Sequence, residues 1–172
     1  MLDSSVFSLK SRILYLVTFY MKLSTKGEYA SRAMLELSLK YNQGVVSIHD
    51  IAQKMGLSVK YLEQILLALK NAGFVHSKRG VAGGYYLAKS PDMITVGQVI
   101  RVMDGPLAPI SCVSQMAYEK CKEEPYCGLR TLWLEVRNAI ADILDNTTFA
   151  DLCDRQNQLE KEVSSTVEMY HI

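Results

Sequence analysis

The sequence predicts a mainly α-helical fold with a small β wing: a winged helix-turn-helix followed by a long C-terminal dimerisation helix. Three observations predict it. Two short amphipathic helical patterns meet at Gly56, and the second starts within three residues of that turn. Directly after them, two β-rich runs flank the glycine-rich stretch Gly80-Val81-Ala82-Gly83-Gly84. Further on, Leu129, Leu132, Trp133, Val136, Ile140, Ile143 and Leu144 recur at the spacing of one helical face.

The elements follow in order. Residues 1–20 hold Lys10, Arg12 and a short apolar run over 13–20, with no small-residue cleavage site before Lys22. They are expected to be an extension outside the core fold, as a misplaced start codon would produce, because Met21 opens the first well-organised segment. Thr25-x-x-Glu28 reads as a capping box, and Tyr29, Ala33, Leu37 and Tyr41 form the inward stripe of a first helix ended by Asn42-Gln43-Gly44. Ser47-x-x-Asp50 caps a second helix with Ile48, Ile51, Ala52 and Met55 inward, and Gly56 supplies the left-handed turn. Ser58 caps a third helix whose buried stripe is Leu62, Ile65, Leu66 and Leu69, stopped by Asn71-Ala72-Gly73. Strands are expected over 74–77 and 85–88.

Thr95 caps a helix over 96–103. Residues 106–127, with Pro106, Pro109 and Pro125, lack periodicity and read as a loop with one helical turn near 114–118. The long helix follows. Thr148-x-x-Asp151 then caps a short helix carrying Phe149 and Leu152. The resulting divisions are an extension (1–20), the winged unit (21–90), a connecting helix and cysteine-containing loop (91–127), the long and short helices (128–155) and a mobile tail (156–172).

Charge divides along the same lines. Residues 21–90 carry ten Lys/Arg against four Asp/Glu, a net +6; residues 91–172 carry seven against thirteen, a net −6. The whole-chain value of +1 hides this split. A basic front half suits contacts to phosphates. A helix-turn-helix places its second helix in a DNA major groove, leading with its first turns. The outward residues there are Ser58, Val59, Lys60, Tyr61, Glu63 and Gln64. Gln64 suits bidentate bonding to adenine, and Glu63 suits acceptance from cytosine or rejection of other sequences. Tyr61 reads equally well as a core residue. Arg79 in the wing suits a minor groove; Lys22, Lys26 and Lys78 suit phosphates. A lone long amphipathic helix needs a partner surface, so a homodimer on a palindromic site is expected.

No apolar stretch reaches the roughly 18 residues of a membrane span, and a cytoplasmic location is expected. No enzyme is predicted: His49, His76 and His171 lie in unrelated elements, and the glycine run lacks the strand-then-helix setting of a nucleotide site. A scaffold role accounts for the long helix and leaves the basic front half unexplained. Four cysteines are present, three of them within sixteen residues: Cys112, Cys121 and Cys127. Without a secretory signal, clustered thiols point to metal, an iron–sulfur cluster or redox chemistry. Structural zinc favours close Cys-x-x-Cys pairs, and none occurs here.

The segments Met21-Lys-Leu-Ser-Thr-Lys-Gly-Glu-Tyr-Ala, Ser58-Val-Lys-Tyr-Leu-Glu-Gln and Arg79-Gly-Val-Ala-Gly-Gly-Tyr-Tyr-Leu, with the cysteine trio, resemble the Rrf-type bacterial winged-helix transcription regulators over about residues 21–155. That family includes an iron–sulfur assembly regulator, a nitric-oxide sensor and a cysteine-metabolism repressor. The resemblance implies a winged-helix homodimer crossed by the long helices. It implies an iron–sulfur cluster, 2Fe-2S or 4Fe-4S, on Cys112, Cys121 and Cys127. It also matches Glu63 to an acidic residue that modulates operator choice. Two departures stand out. Eight residues separate Cys112 from Cys121, more than is usual in the relatives, and Arg130 occupies the place where the assembly regulator has a histidine ligand. The nitric-oxide sensor instead uses a carboxylate from the partner's first helix. Glu28 matches that position, and its capping role is the alternative. Cys153 fits a structural thiol. The rival reading is a cluster-free regulator of cysteine or sulfur metabolism that answers a thiol, a metabolite or a partner enzyme.

Overall fold

The computed structural model describes residues 23–169. The expected extension over 1–20, Met21, Lys22 and His171 lie outside those residues. The order is α1 (Thr25–Leu39), α2 (Ile48–Met55), α3 (Val59–Asn71), β1 (Val75–Lys78), β2 (Gly84–Leu87), α4 (Val96–Asp104), α5 (Gly128–Asp145) and α6 (Phe149–Met169). Single 3-10 turns occur at Pro91–Met93, Ser111–Val113 and Glu124–Tyr126.

Local chemistry sets each boundary. The α1 cap is Ser24, one residue before the expected Thr25; its hydroxyl accepts from the Gly27 amide at 3.0 Å. The Asp104 side chain reinforces this end by accepting from the Ser24 amide at 3.1 Å and from the Ser24 hydroxyl. Glu28 is therefore freed from the capping box and pairs one turn on with Arg32 at 2.8 Å. Ser47 and Ser58 cap α2 and α3 through the His49 and Tyr61 amides. Gly56 ends α2 at φ 64, where a residue with a β-carbon would be strained. Thr95 and Gln98 form a full capping box on α4, and Thr148 with Asp151 a reciprocal pair on α6.

The hairpin is antiparallel, with Val75 opposite Leu87 and Lys78 opposite Gly84. Val46 adds a third, one-residue strand: its amide and carbonyl exchange bonds with Tyr85 at 2.8 and 2.9 Å. A single bridging residue has no period, so the sequence offers no signal for it. Gly84 permits this approach, since a β-carbon there would lie 2.3 Å from the Val46 carbonyl oxygen.

One core joins these elements. It contains Ala30, Ala33, Met34 and Leu37 of α1, Ile51 and Ala52 of α2, Leu62, Ile65, Leu66 and Leu69 of α3, and Phe74, Val75 and Leu87 of the hairpin. Ile94, Val99 and the fully buried Phe149 complete it. Phe149 brings the chain's end back to its beginning. The Phe149 amide bonds to the Ile94 carbonyl at 3.0 Å and the Val96 amide to the Thr147 carbonyl at 2.9 Å, so the start of α6 is tied to the start of α4 while the Phe149 side chain enters the core shared with the helix-turn-helix.

Two expectations are corrected. Helical turns in the cysteine loop fall at 111–113 and 124–126, not near 114–118, where the Ala117 amide bonds to the Ser114 hydroxyl and the Glu119 amide returns to the Ser111 carbonyl. The last helix does not stop near Arg155: it continues to Met169, supported by side-chain bonds from Gln156 to Glu160 and from Gln158 to Glu162. Polar composition over 156–169 is compatible with a solvated helix once the first turns are anchored.

Candidate nucleic-acid interface and cysteine loop

The outward face of α3 is built from residues the core leaves over. Leu62, Ile65, Leu66 and Leu69 are fully buried, so Lys60, Glu63 and Gln64 project from the opposite side, each exposed. Ser58 is exposed at the cap, with its hydroxyl already engaged by the Tyr61 amide. Tyr61 itself is half-buried, edge-on to Tyr29 with ring centroids 6.0 Å apart. Packing therefore holds its ring, and only an edge faces outward. The hairpin stands beside this face. Burial, and then the Glu63 carboxylate, push the Tyr85 phenol above its ordinary range and keep it neutral. Lys78 closes β1 and Arg79 starts the wing tip, both exposed. Lys26 is exposed in the first turn of α1. The structure thus places Lys60, Glu63 and Gln64 together on one helix face and Lys78 with Arg79 on the neighbouring wing. Lys26 lies on a separate element.

The cysteine loop is held differently. The Tyr118 hydroxyl donates to Glu124 Oε2 at 2.6 Å, and Arg130 Nη2 pairs with Glu124 Oε1 at 2.7 Å. The bond to Glu124 raises the Tyr118 phenol above its usual range. Val113 and Ser114 are the buried residues of this stretch. Cys112 and Cys127 are half-buried, Cys121 is exposed, and all four cysteines are free thiols. Burial, with Asp154 alongside, pushes the Cys153 thiol up, as expected of a structural thiol. Three clustered thiols are the right donor chemistry for an iron–sulfur group. Their arrangement does not preassemble one: among the described residues no three His, Cys, Asp or Glu side chains are grouped to hold a metal. Glu28 is engaged by Arg32 and Arg130 by Glu124. The Tyr118–Glu124–Arg130 staple has no sequence signal because its six-residue steps match no helical contact spacing and cross an irregular loop.

The long helix buries none of its residues within one chain. Leu129, Leu132 and Ile143 are 67%, 50% and 64% exposed, and with Val136 and Ala139 they alternate in steps of three and four. That is the spacing of a helix–helix seam. The opposite side of α5 faces its own chain, where Arg101 grips Asp145 with two bonds of 2.5 and 2.8 Å. These residues are 44 positions apart, and no local pattern announces them. No helix among the described residues is long and apolar enough to cross a membrane.

Comparison with known proteins agrees with this architecture. Residues 23–155 match the Rrf2 family, described as an iron-dependent transcriptional regulator. The transcriptional regulator CymR of Bacillus subtilis strain 168 is 45% identical over 132 residues, covering 77% of this chain and 89% of CymR. The regulator IscR of Erwinia tasmaniensis is 38% identical over 139 residues, covering 81% and 82%. Among solved structures, CymR, the global cysteine regulator of B. subtilis, superposes with a TM-score of 0.67 at 41% identity, covering 79% of this chain and 98% of that one. T. potens IscR superposes with a TM-score of 0.65 at 36% identity, covering 79% and 88%. These relatives are transcription regulators and not enzymes. The chain belongs to the Rrf2 family of winged-helix, DNA-binding transcription regulators.

Proposed function

We propose that the chain acts in the cytoplasm as a homodimer on a palindromic promoter site, and that its cysteine loop receives a redox, iron–sulfur or nitric-oxide signal. The observation that carries the reading half is the polar face of α3, with Lys60, Glu63 and Gln64 exposed together beside the basic wing. Ser58 and the Tyr61 edge border it; Lys22, Lys26 and Lys78 serve phosphates, and Arg79 the minor groove. The unburied seam on α5 supports the dimer. Two such helices pair isologously and so set the distance between the two reading helices.

In the sensing half, Cys112, Cys121 and Cys127 would hold an iron–sulfur cluster. Its chemistry, when bound, is a response to oxidants, nitric oxide or iron supply. The chain's own residues decide whether it loads. The Glu124 staple must yield for the loop to draw three thiols together. Arg130 cannot ligate, which leaves Glu28 of the partner subunit as a candidate fourth donor once released from Arg32. A second reading is favoured by a specific observation: the thiols are not grouped, and CymR, named a cysteine regulator, is 45% identical. In that reading the loop carries no cluster and answers a thiol, a metabolite or a partner enzyme. Anaerobic purification with visible absorption and iron and sulfide analysis separates the two. A coloured protein with stoichiometric iron and sulfide supports the cluster; a colourless, iron-free protein assigns the second reading.

A further inference from the structure

The face of α3 that carries Lys60, Glu63 and Gln64 is not polar throughout. Leu67 follows at the next turn, four positions from Glu63 and three from Gln64, and it is 56% exposed. It stands opposite the buried stripe of Leu62, Ile65, Leu66 and Leu69, and is the exposed large apolar side chain of this helix. The next outward residue, Lys70, is turned away: its ammonium donates to the Ser77 hydroxyl of β1 at 2.7 Å. That bond ties the third turn of α3 to the wing strand, and beyond Leu67 the outward face holds only the exposed Asn71 at the helix C-terminus, one turn farther from the leading turns.

We infer that Leu67 is a specificity-determining residue that recognises the C5-methyl group of a thymine. The inference rests on α3 being the reading helix. Three residues advance a helix by about 4.5 Å, and base pairs are spaced by about 3.4 Å. Leu67 therefore reaches the base step next to the one that Gln64 and Glu63 read. In the major groove the thymine methyl is the apolar feature of the four base pairs, and an aliphatic side chain pairs with it by mutual removal from water. Leu67 has no amide or charge to bond a base edge, so its preference is for that methyl alone. Beside two polar readers it adds discrimination of thymine from cytosine, which hydrogen bonds from Glu63 alone would bias the other way.

The test uses the full chain and the duplex it enriches from a random-sequence DNA pool. Each thymine within the protected half-site is replaced singly by deoxyuridine, which removes only the methyl group. At one position the wild-type protein should lose about three- to fivefold in affinity, the transfer value of one methyl. Leu67→Ala should bind the two duplexes equally, and Leu67→Met should restore the dependence. Because the side chain is exposed, these variants retain the fold, checked by circular dichroism. Methyl dependence that persists in Leu67→Ala, or is absent at every thymine for the wild type, overturns the inference. In either case a loss of sequence discrimination in Gln64→Ala leaves α3 standing as the reading helix. If neither variant alters discrimination, the reading helix and the inference fall together.

Discussion

The winged unit and the region from the cysteine loop through α5 are built on opposite principles. In the winged unit every helix spends its apolar stripe on a shared core, and Leu62, Ile65, Leu66 and Leu69 are fully buried within one chain. What projects outward is the polar remainder, so the reading face is a by-product of a closed core. In α5 the apolar stripe is only half-covered within the same chain, where Trp133, Ile140 and Leu144 are half-buried while Leu129, Leu132 and Ile143 stay exposed, and the loop before it is held by side-chain bonds among Tyr118, Glu124 and Arg130. Ion pairs and hydrogen bonds near the surface contribute little stability, whereas a packed core contributes much. The first region is therefore rigid and complete. The second leaves apolar surface uncovered within one chain and is held largely by surface bonds.

The contrast is broken most forcefully at its two extremes, Phe149 and Ile143. Phe149 is fully buried in the winged core, although it starts the last helix. Phe149→Ala should cost about 3–5 kcal/mol of folding stability, visible as a lowered urea midpoint. The core sits within one chain, so the loss should persist in any variant that has been made monomeric. Ile143, only six positions earlier, is exposed on the α5 seam. Ile143→Glu should leave the helical signal intact and convert the dimer to monomer in sedimentation, since an isologous seam meets the new charge twice. A monomeric wild type, or an Ile143→Glu dimer, would remove α5 as the interface.

Within the reading face the same logic predicts a smaller split. Gln64→Ala should weaken the enriched operator by about 1–3 kcal/mol and leave random DNA unaffected. Lys26→Ala should weaken both alike and reduce the salt slope by about one. Titrations on both duplexes at several salt concentrations check the pair, and equal losses on both for Gln64→Ala would reject its reading role.

The winged unit is legible in the sequence because its signals are local. Caps at Ser47 and Ser58, the turn at Gly56 and the stripes of α2 and α3 each lie within a few residues of what they organise. The α5 stripe is legible for the same reason. What escapes the sequence depends on distant partners. Val46 joins Tyr85 as a single bridging residue, and Asp104 reinforces the cap at Ser24, which moves the helix start and releases Glu28. The helix over 156–169 escapes because it is polar, and its continuation follows from the anchor at Phe149 upstream. In the loop, three cysteines in sixteen residues mark the chemistry, while the spacing is silent on the Glu124 staple that keeps the loop in place.

The smallest expected effect lies where the two regions meet, at the bond between Arg101 of α4 and Asp145 at the end of α5. The hydrogen bonds from the guanidinium hold the Asp145 carboxyl below its usual range. A depressed folded value means that the bond stabilises the protein at pH above the unfolded carboxylate value, near 4, and that this contribution is lost as pH falls through the folded value. Asp145 is 42% exposed, so solvent screening limits the bond to about 0.5–1 kcal/mol. Asp145→Asn should lower stability by that amount from neutral pH down to about 5 and converge with the wild type in acid. Urea titrations across that range test it. A difference that persists unchanged at the acid end would mean that the substituted amide destabilises through its packing, and that charge does not join α5 to α4.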